Sequence, residues 1–254
     1  MPTKIITLDN QAKSQISNGA IMENRPIGFS NDSKSVKPYS NIYYWSRLWT
    51  DVGGTISDHP HKGFDIFTYV IKGQVDQIDS EDRKIRHIHA GDSYLIVSGS
   101  GVVHSEKYHK NTELFQIWFD PNLRESLGKK AFYKFVKSEE FPFKEIPGIT
   151  REFIIGNNSP YDFDDLGISI TDYKITPGLK NIKIKEDYYY SAYILKGEIE
   201  IAGKIIKTND YFIIKNEKFI EFYSNAHSRI YIIESPIHPK YKTYLQLKSN
   251  NLSK

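Results

Sequence analysis

Tyr69-Val-Ile-Lys-Gly-Gln-Val-Asp76 returns 124 residues later as Tyr193-Ile-Leu-Lys-Gly-Glu-Ile-Glu200. Each copy is a β-branched and aromatic run broken by a Lys-Gly turn, the pattern of strand, turn and strand. A second echo follows in the same order. Ala90-Gly-Asp-Ser-Tyr-Leu-Ile96 is matched by Thr208-Asn-Asp-Tyr-Phe-Ile-Ile214 at an offset of 118. Repetition at nearly constant offset, close to half of the 254 residues, predicts two copies of one β domain. The turn region from Asp120-Pro121 to Pro147-Gly148 is where the division falls, giving domains over 1–128 and 129–254.

Composition agrees with this reading. The chain holds 35 Ile, 18 Tyr and 14 Phe but only 7 Ala and 12 Leu, which favours pleated sheet over helix. Turn signals such as Lys72-Gly73, Ala90-Gly91-Asp92, Pro177-Gly178 and Ala202-Gly203 punctuate the sequence at the spacing of a sandwich or barrel. No cysteine is present, which excludes disulfides, thiolate metal sites and a cysteine nucleophile. A net charge of +3 gives no polyanion-binding signature, and the basic C-terminal residues Lys240, Lys242 and Lys248 form no nucleic-acid motif. No run of 18 apolar residues occurs and the N-terminus has no signal-peptide core, so the expected location is the cytoplasm.

Two histidine-bearing segments stand out. In His59-Pro-His61 the imidazoles are two residues apart, on one face if the segment is a strand. His104-Ser-Glu106 repeats that spacing after the turn Ser98-Gly-Ser-Gly101. If these strands are neighbours, three imidazoles and one carboxylate meet inside the barrel, a set suited to a divalent transition metal. His87-Ile-His89 has the same spacing but reads as a surface strand end, and His109, His227 and His238 read as ordinary histidines without a partner at ligand spacing.

His59-Pro-His-Lys-Gly-Phe-Asp-Ile-Phe-Thr-Tyr-Val-Ile-Lys-Gly73, followed by the segment from Ala90 to Glu106, resembles the pirin family of the cupin superfamily. The resemblance implies an all-β fold of two tandem cupin (jelly-roll) barrels packed face to face, with few short helices. It also implies one metal in the N-terminal barrel, held by His59, His61, His104 and Glu106. Fe(II) is the first expectation, with Ni, Mn, Cu or Zn as alternatives. Asp65 stands where other cupins place a glutamate ligand, and the family reading makes it a supporting or structural residue. In the second copy, adding 124 to His59 and His61 gives Lys183 and Lys185, and adding 115–118 to His104 gives positions 219–222, where no ligand stands. The C-terminal barrel is therefore expected to lack metal.

Some relatives in this family are quercetin 2,3-dioxygenases. The resemblance thus implies a flavonol-like aromatic substrate. Glu106 is the natural catalytic base for its hydroxyl proton, and Phe64, Phe67, Tyr69, Tyr94, Phe115 and Trp118 either line a flat apolar pocket or, as alternation sends about half of them to the other face, fill the barrel core. The alternative is a non-enzymatic, metal-dependent regulatory protein of the co-regulator type.

Overall fold

The computed structural model describes residues 4–80, 83–163 and 165–252. Strands dominate it, with α-helix only at Leu123–Ser126 and Tyr244–Leu252. No helix among the described residues is long and apolar enough to cross a membrane. The strands build two compact units. One comprises Gln11–Ser138 with the segment beginning at Tyr241, and the other comprises Glu139–Lys240 with the segment ending at Asn10.

In the first unit a four-stranded sheet has the order Gly54–His61, Val102–Tyr108, Gln74–Asp79, Ile85–His89. It faces a seven-stranded sheet ordered Phe132–Val136, Ser93–Val97, Asp65–Lys72, Thr112–Phe119, Ile42–Thr50, Ile21–Ile27, Ala12–Ile16. Ile66 and Val70 from the larger sheet meet Val75, Ile88, Val102 and Tyr108 from the smaller one in a single buried core. The sheets stay separate, so the jelly roll is an open sandwich and the barrel is not closed.

The second unit repeats this plan strand for strand. Its smaller sheet runs Gly178–Lys183, Phe219–Ser224, Glu198–Ile201, Lys204–Lys207. Its larger sheet runs Lys4–Ile6, Tyr211–Ile214, Tyr188–Lys196, Ser228–Pro236, Ser169–Ile175, Ile149–Ile155, Phe143–Ile146. The edge place that Phe132–Val136 takes beside Ser93–Val97 in the first unit is taken here by Lys4–Ile6 beside Tyr211–Ile214. Each edge therefore gains a hydrogen-bonded partner.

Register identifies the true counterparts of the histidine positions. Tyr108 lies opposite Gly54 and His104 opposite His59; in the second unit Ser224 lies opposite Gly178 and Ile220 opposite Ile182. Between these points the strand Gly54–His61 carries a bulge, because two steps from Glu106 to His104 span three from Ile56 to His59. The extra residue changes the offset from 124 to 123. The counterparts of His59, His61, His104 and Glu106 are thus Ile182, Ile184, Ile220 and Phe222, all buried in the second unit's core. The expectation of Lys183 and Lys185 at the histidine positions was one residue out of register. One residue on a strand reverses the face.

The C-terminal helix is tied to the first unit at Asp120. The Tyr241 hydroxyl donates to the Asp120 carbonyl at 2.6 Å, and the Tyr244 N–H donates to its Oδ2 at 2.6 Å. Asp65, which lies opposite Phe119, is buried as well. Burial pushes both carboxyls up to about 7, with their mutual repulsion adding to the rise at Asp65.

Ile220→Ala leaves a cavity and lowers the stability of the full chain by about 2–5 kcal/mol, without changing its metal content; denaturant unfolding and elemental analysis check both. For the carboxyls, the folded state holds protons that the unfolded state releases near pH 4, so stability falls as pH rises from about 4 to about 7. Asp65→Asn and Asp120→Asn each flatten that fall, as measured by Tm against pH.

Candidate metal centre

The bulge sets the first imidazole in place. Nδ1 of His59 lies 2.8 Å from the Ser57 carbonyl, inside the bulge, so Nδ1 carries the proton and Nε2 the lone pair. His61, two residues on, shares its face, and the strand Val102–Tyr108 brings His104 opposite His59. Ring centroids of the three histidines are 4.3–4.9 Å apart, and one donor nitrogen from each lies within 4.8 Å of the other two.

His104 is fully buried, with Nδ1 3.0 Å from Oε1 of Gln77 on the neighbouring strand. Its Nε2 has no hydrogen-bond partner, and neither does the buried Nε2 of His61. Burial pushes both imidazoles down to about 3, helped by the other histidines of the cluster. Both are neutral at physiological pH, with lone pairs available. A buried polar atom without a partner is costly, and a metal ion is the group that satisfies three convergent imidazole nitrogens together. The donor set therefore fits the implied cation.

Glu106 lies two residues beyond His104, with Oε1 3.9 Å from Nδ1 of that histidine. It does not belong to the close three-nitrogen set. Its carboxylate is fully buried and held from two sides: Oε1 accepts from Nε2 of Gln116 at 2.7 Å, and Oε2 accepts from the Tyr108 hydroxyl at 2.9 Å. The Trp118 indole donates in turn to Oε1 of Gln116 at 3.2 Å. Gln77, Gln116 and Tyr108 belong to no motif in the sequence. Only Tyr108 had a signal there, being two residues from Glu106 on the same face.

The aromatic expectations divide by strand face. The Trp118 ring packs edge-on against His61 at 5.0 Å, and Tyr43, Tyr44 and Phe64 surround that indole. Tyr244 of the C-terminal helix meets Tyr43 and Phe64. Phe67, Tyr69 and Phe115 alternate onto the sheet's other face, buried away from the histidines, and Tyr94 is core. Asp65 shares the face of Phe67, which makes it structural.

The outlying histidines are also placed. Nδ1 of His87 and Nε2 of His109 each lie 2.8 Å from one oxygen of Asp76. Burial tends to raise the Asp76 carboxyl, but hydrogen bonds from His87, Gln74 and His109 outweigh it and hold the group below the usual range. His109 therefore has a partner that its sequence neighbourhood did not reveal, because the contact joins residues 33 positions apart. His89 is exposed at its strand end, as expected.

A pirin-family profile matches residues 21–119. A protein of Zymomonas mobilis provisionally named quercetin 2,3-dioxygenase is 32% identical over 171 residues, 65% of this chain and 68% of the relative. The quercetin 2,3-dioxygenase of Escherichia coli K12 is 26% identical over 196 residues, 73% of this chain and 78% of that one. Among solved structures, the bacterial pirin YhhW of Escherichia coli in complex with nickel(II) superposes with a TM-score of 0.77 at 19% identity, covering 92% of this chain and 98% of that one. GK1651 of Geobacillus kaustophilus gives 0.78 at 17% identity, covering 94% and 97%. With the profile match, the Zymomonas relative and the duplicated jelly roll in agreement, this chain belongs to the pirin family.

Proposed function

We propose that His59, His61 and His104, through their Nε2 atoms, and Glu106, through its carboxylate, hold one divalent transition metal, and that the centre cleaves flavonol-type substrates with dioxygen. Fe(II) is the first candidate; nickel, manganese, copper and zinc suit the same donors. The carrying observation is the pair of buried, unpartnered Nε2 atoms of His61 and His104 facing the third imidazole. When bound, the metal supplies a Lewis acid and a path for electrons between a bound substrate and dioxygen.

The surrounding residues have separable roles. Trp118, Tyr43 and Phe64 form an aromatic wall beside His61 that suits stacking of a flat ring system. Glu106 is the base that takes the proton of the substrate hydroxyl. Gln116 and Tyr108 fix its orientation through the two hydrogen bonds described. Gln77 fixes the ring of His104 and the tautomer that leaves Nε2 free.

Elemental analysis of untagged protein should find about one transition metal per chain, abolished by His61→Ala. Gln77→Ala should weaken metal affinity by about 10–100-fold while leaving the fold intact. An empty native protein that gains no thermal stability from iron, nickel, manganese or copper would overturn the ligand assignment. Oxygen consumption with quercetin should fall by about 100-fold or more in Glu106→Gln with metal retained, the size of a lost general base. An occupied site that turns over no flavonol would instead favour the regulatory reading.

A further inference from the structure

The second unit has an apolar core where the first has its histidines, yet it keeps an open bowl at the corresponding end. The bowl is a cavity of about 540 Å³, within the range of small-ligand sites. Register relates it to the metal centre: Ile184 stands for His61, and Glu234 for Trp118. Its floor is Phe153, Tyr173, Ile184 and Tyr190.

Its charge is one-sided. Lys144, Arg151, Lys183 and Lys185 line it against the single carboxylate of Glu234. That carboxylate is already engaged, with Lys185 at 3.6 Å and the Tyr190 hydroxyl donating to it at 3.3 Å. Lys144, Arg151 and Lys183 have no carboxylate partner among the described residues. Arg151 is the decisive one. Its guanidinium lies 5.8 Å from the Tyr173 ring centroid, and its Nε is buried without an acceptor. A buried donor on a fixed cation is costly when unpaired, and the planar guanidinium fork matches an oxyanion.

We propose that this bowl binds a small organic anion, a carboxylate or phosphate on a compact and partly apolar body. The oxyanion meets Arg151, with Lys144 and Lys183 at the rim, and the body rests on the aromatic and Ile184 floor. This site is independent of the metal-centre reading, since it uses none of that centre's residues.

The test titrates the full metal-loaded chain with benzoate, phenyl phosphate and neutral benzyl alcohol, followed by ligand-observed NMR. At least one anion should bind about tenfold or more tighter than benzyl alcohol, and Arg151→Gln should remove that advantage while metal content stays unchanged. Preference for benzoate or for phenyl phosphate then assigns the group as carboxylate or phosphate. Binding should weaken as salt rises. His61→Ala should leave it intact. The proposal fails if neither anion exceeds benzyl alcohol. It fails equally if binding is lost in His61→Ala but kept in Arg151→Gln, which would place the anion at the metal centre. Should Arg151→Gln not fold, the exposed pair Lys144→Met and Lys183→Met provides the same comparison.

Discussion

A strand shows alternate residues to opposite faces, so a single inserted residue decides which chemistry enters a β-sandwich. In the strand Gly54–His61 that residue sits at the bulge before His59, opposite the step from Glu106 to His104. The bulge brings His59 into line with His104, and its Ser57 carbonyl holds Nδ1 of His59. Without the extra residue, the second unit presents Ile182 and Ile184 from the same sheet position and closes an apolar core around them. Histidine cluster and hydrophobic core are thus alternative fillings of one scaffold, separated by register and by four side chains.

The consequences differ in kind. Isoleucine and phenylalanine stabilise the second unit by leaving water, with no directional demand. Buried imidazoles in the first unit remain neutral because the interior disfavours their charge, and the Nε2 atoms of His61 and His104 have no hydrogen-bond partner among the described residues. That unit accordingly surrounds its carboxylate and one imidazole with fixed donors and acceptors from adjacent strands: Gln77 on His104, and Gln116 and Tyr108 on Glu106. The second unit instead gathers charged groups about its bowl, Lys144, Lys183 and Lys185 with the partly buried Arg151 and Glu234, over a floor that carries no imidazole.

The expected aromatic pocket shows how far alternation carries. Phe64 and Trp118 stand beside the histidines, while Phe67, Tyr69 and Phe115 belong to the opposite face. Strand boundaries and bulges set that division. Tyr43 and Tyr244 complete the wall from distant parts of the chain.

The β class, the duplication and the His59/His61 and His104/Glu106 pairs can be read along the chain, because they depend on composition, on period-two alternation and on turns that close within a few residues. His59, His61 and His104 were legible for that reason, each belonging to a local pattern with one-sided geometry. Long-range pairing fixes the register of the second copy, the open form of the jelly roll and the hydrogen bonds that hold Glu106. It also fixes the exchange of terminal segments, with Lys4–Ile6 pairing to Tyr211–Ile214 and Tyr244 bonding Asp120. These features join residues far apart in the chain. Their geometry is fixed by which strands pair and in which register, and a count of residues along one strand does not contain that information.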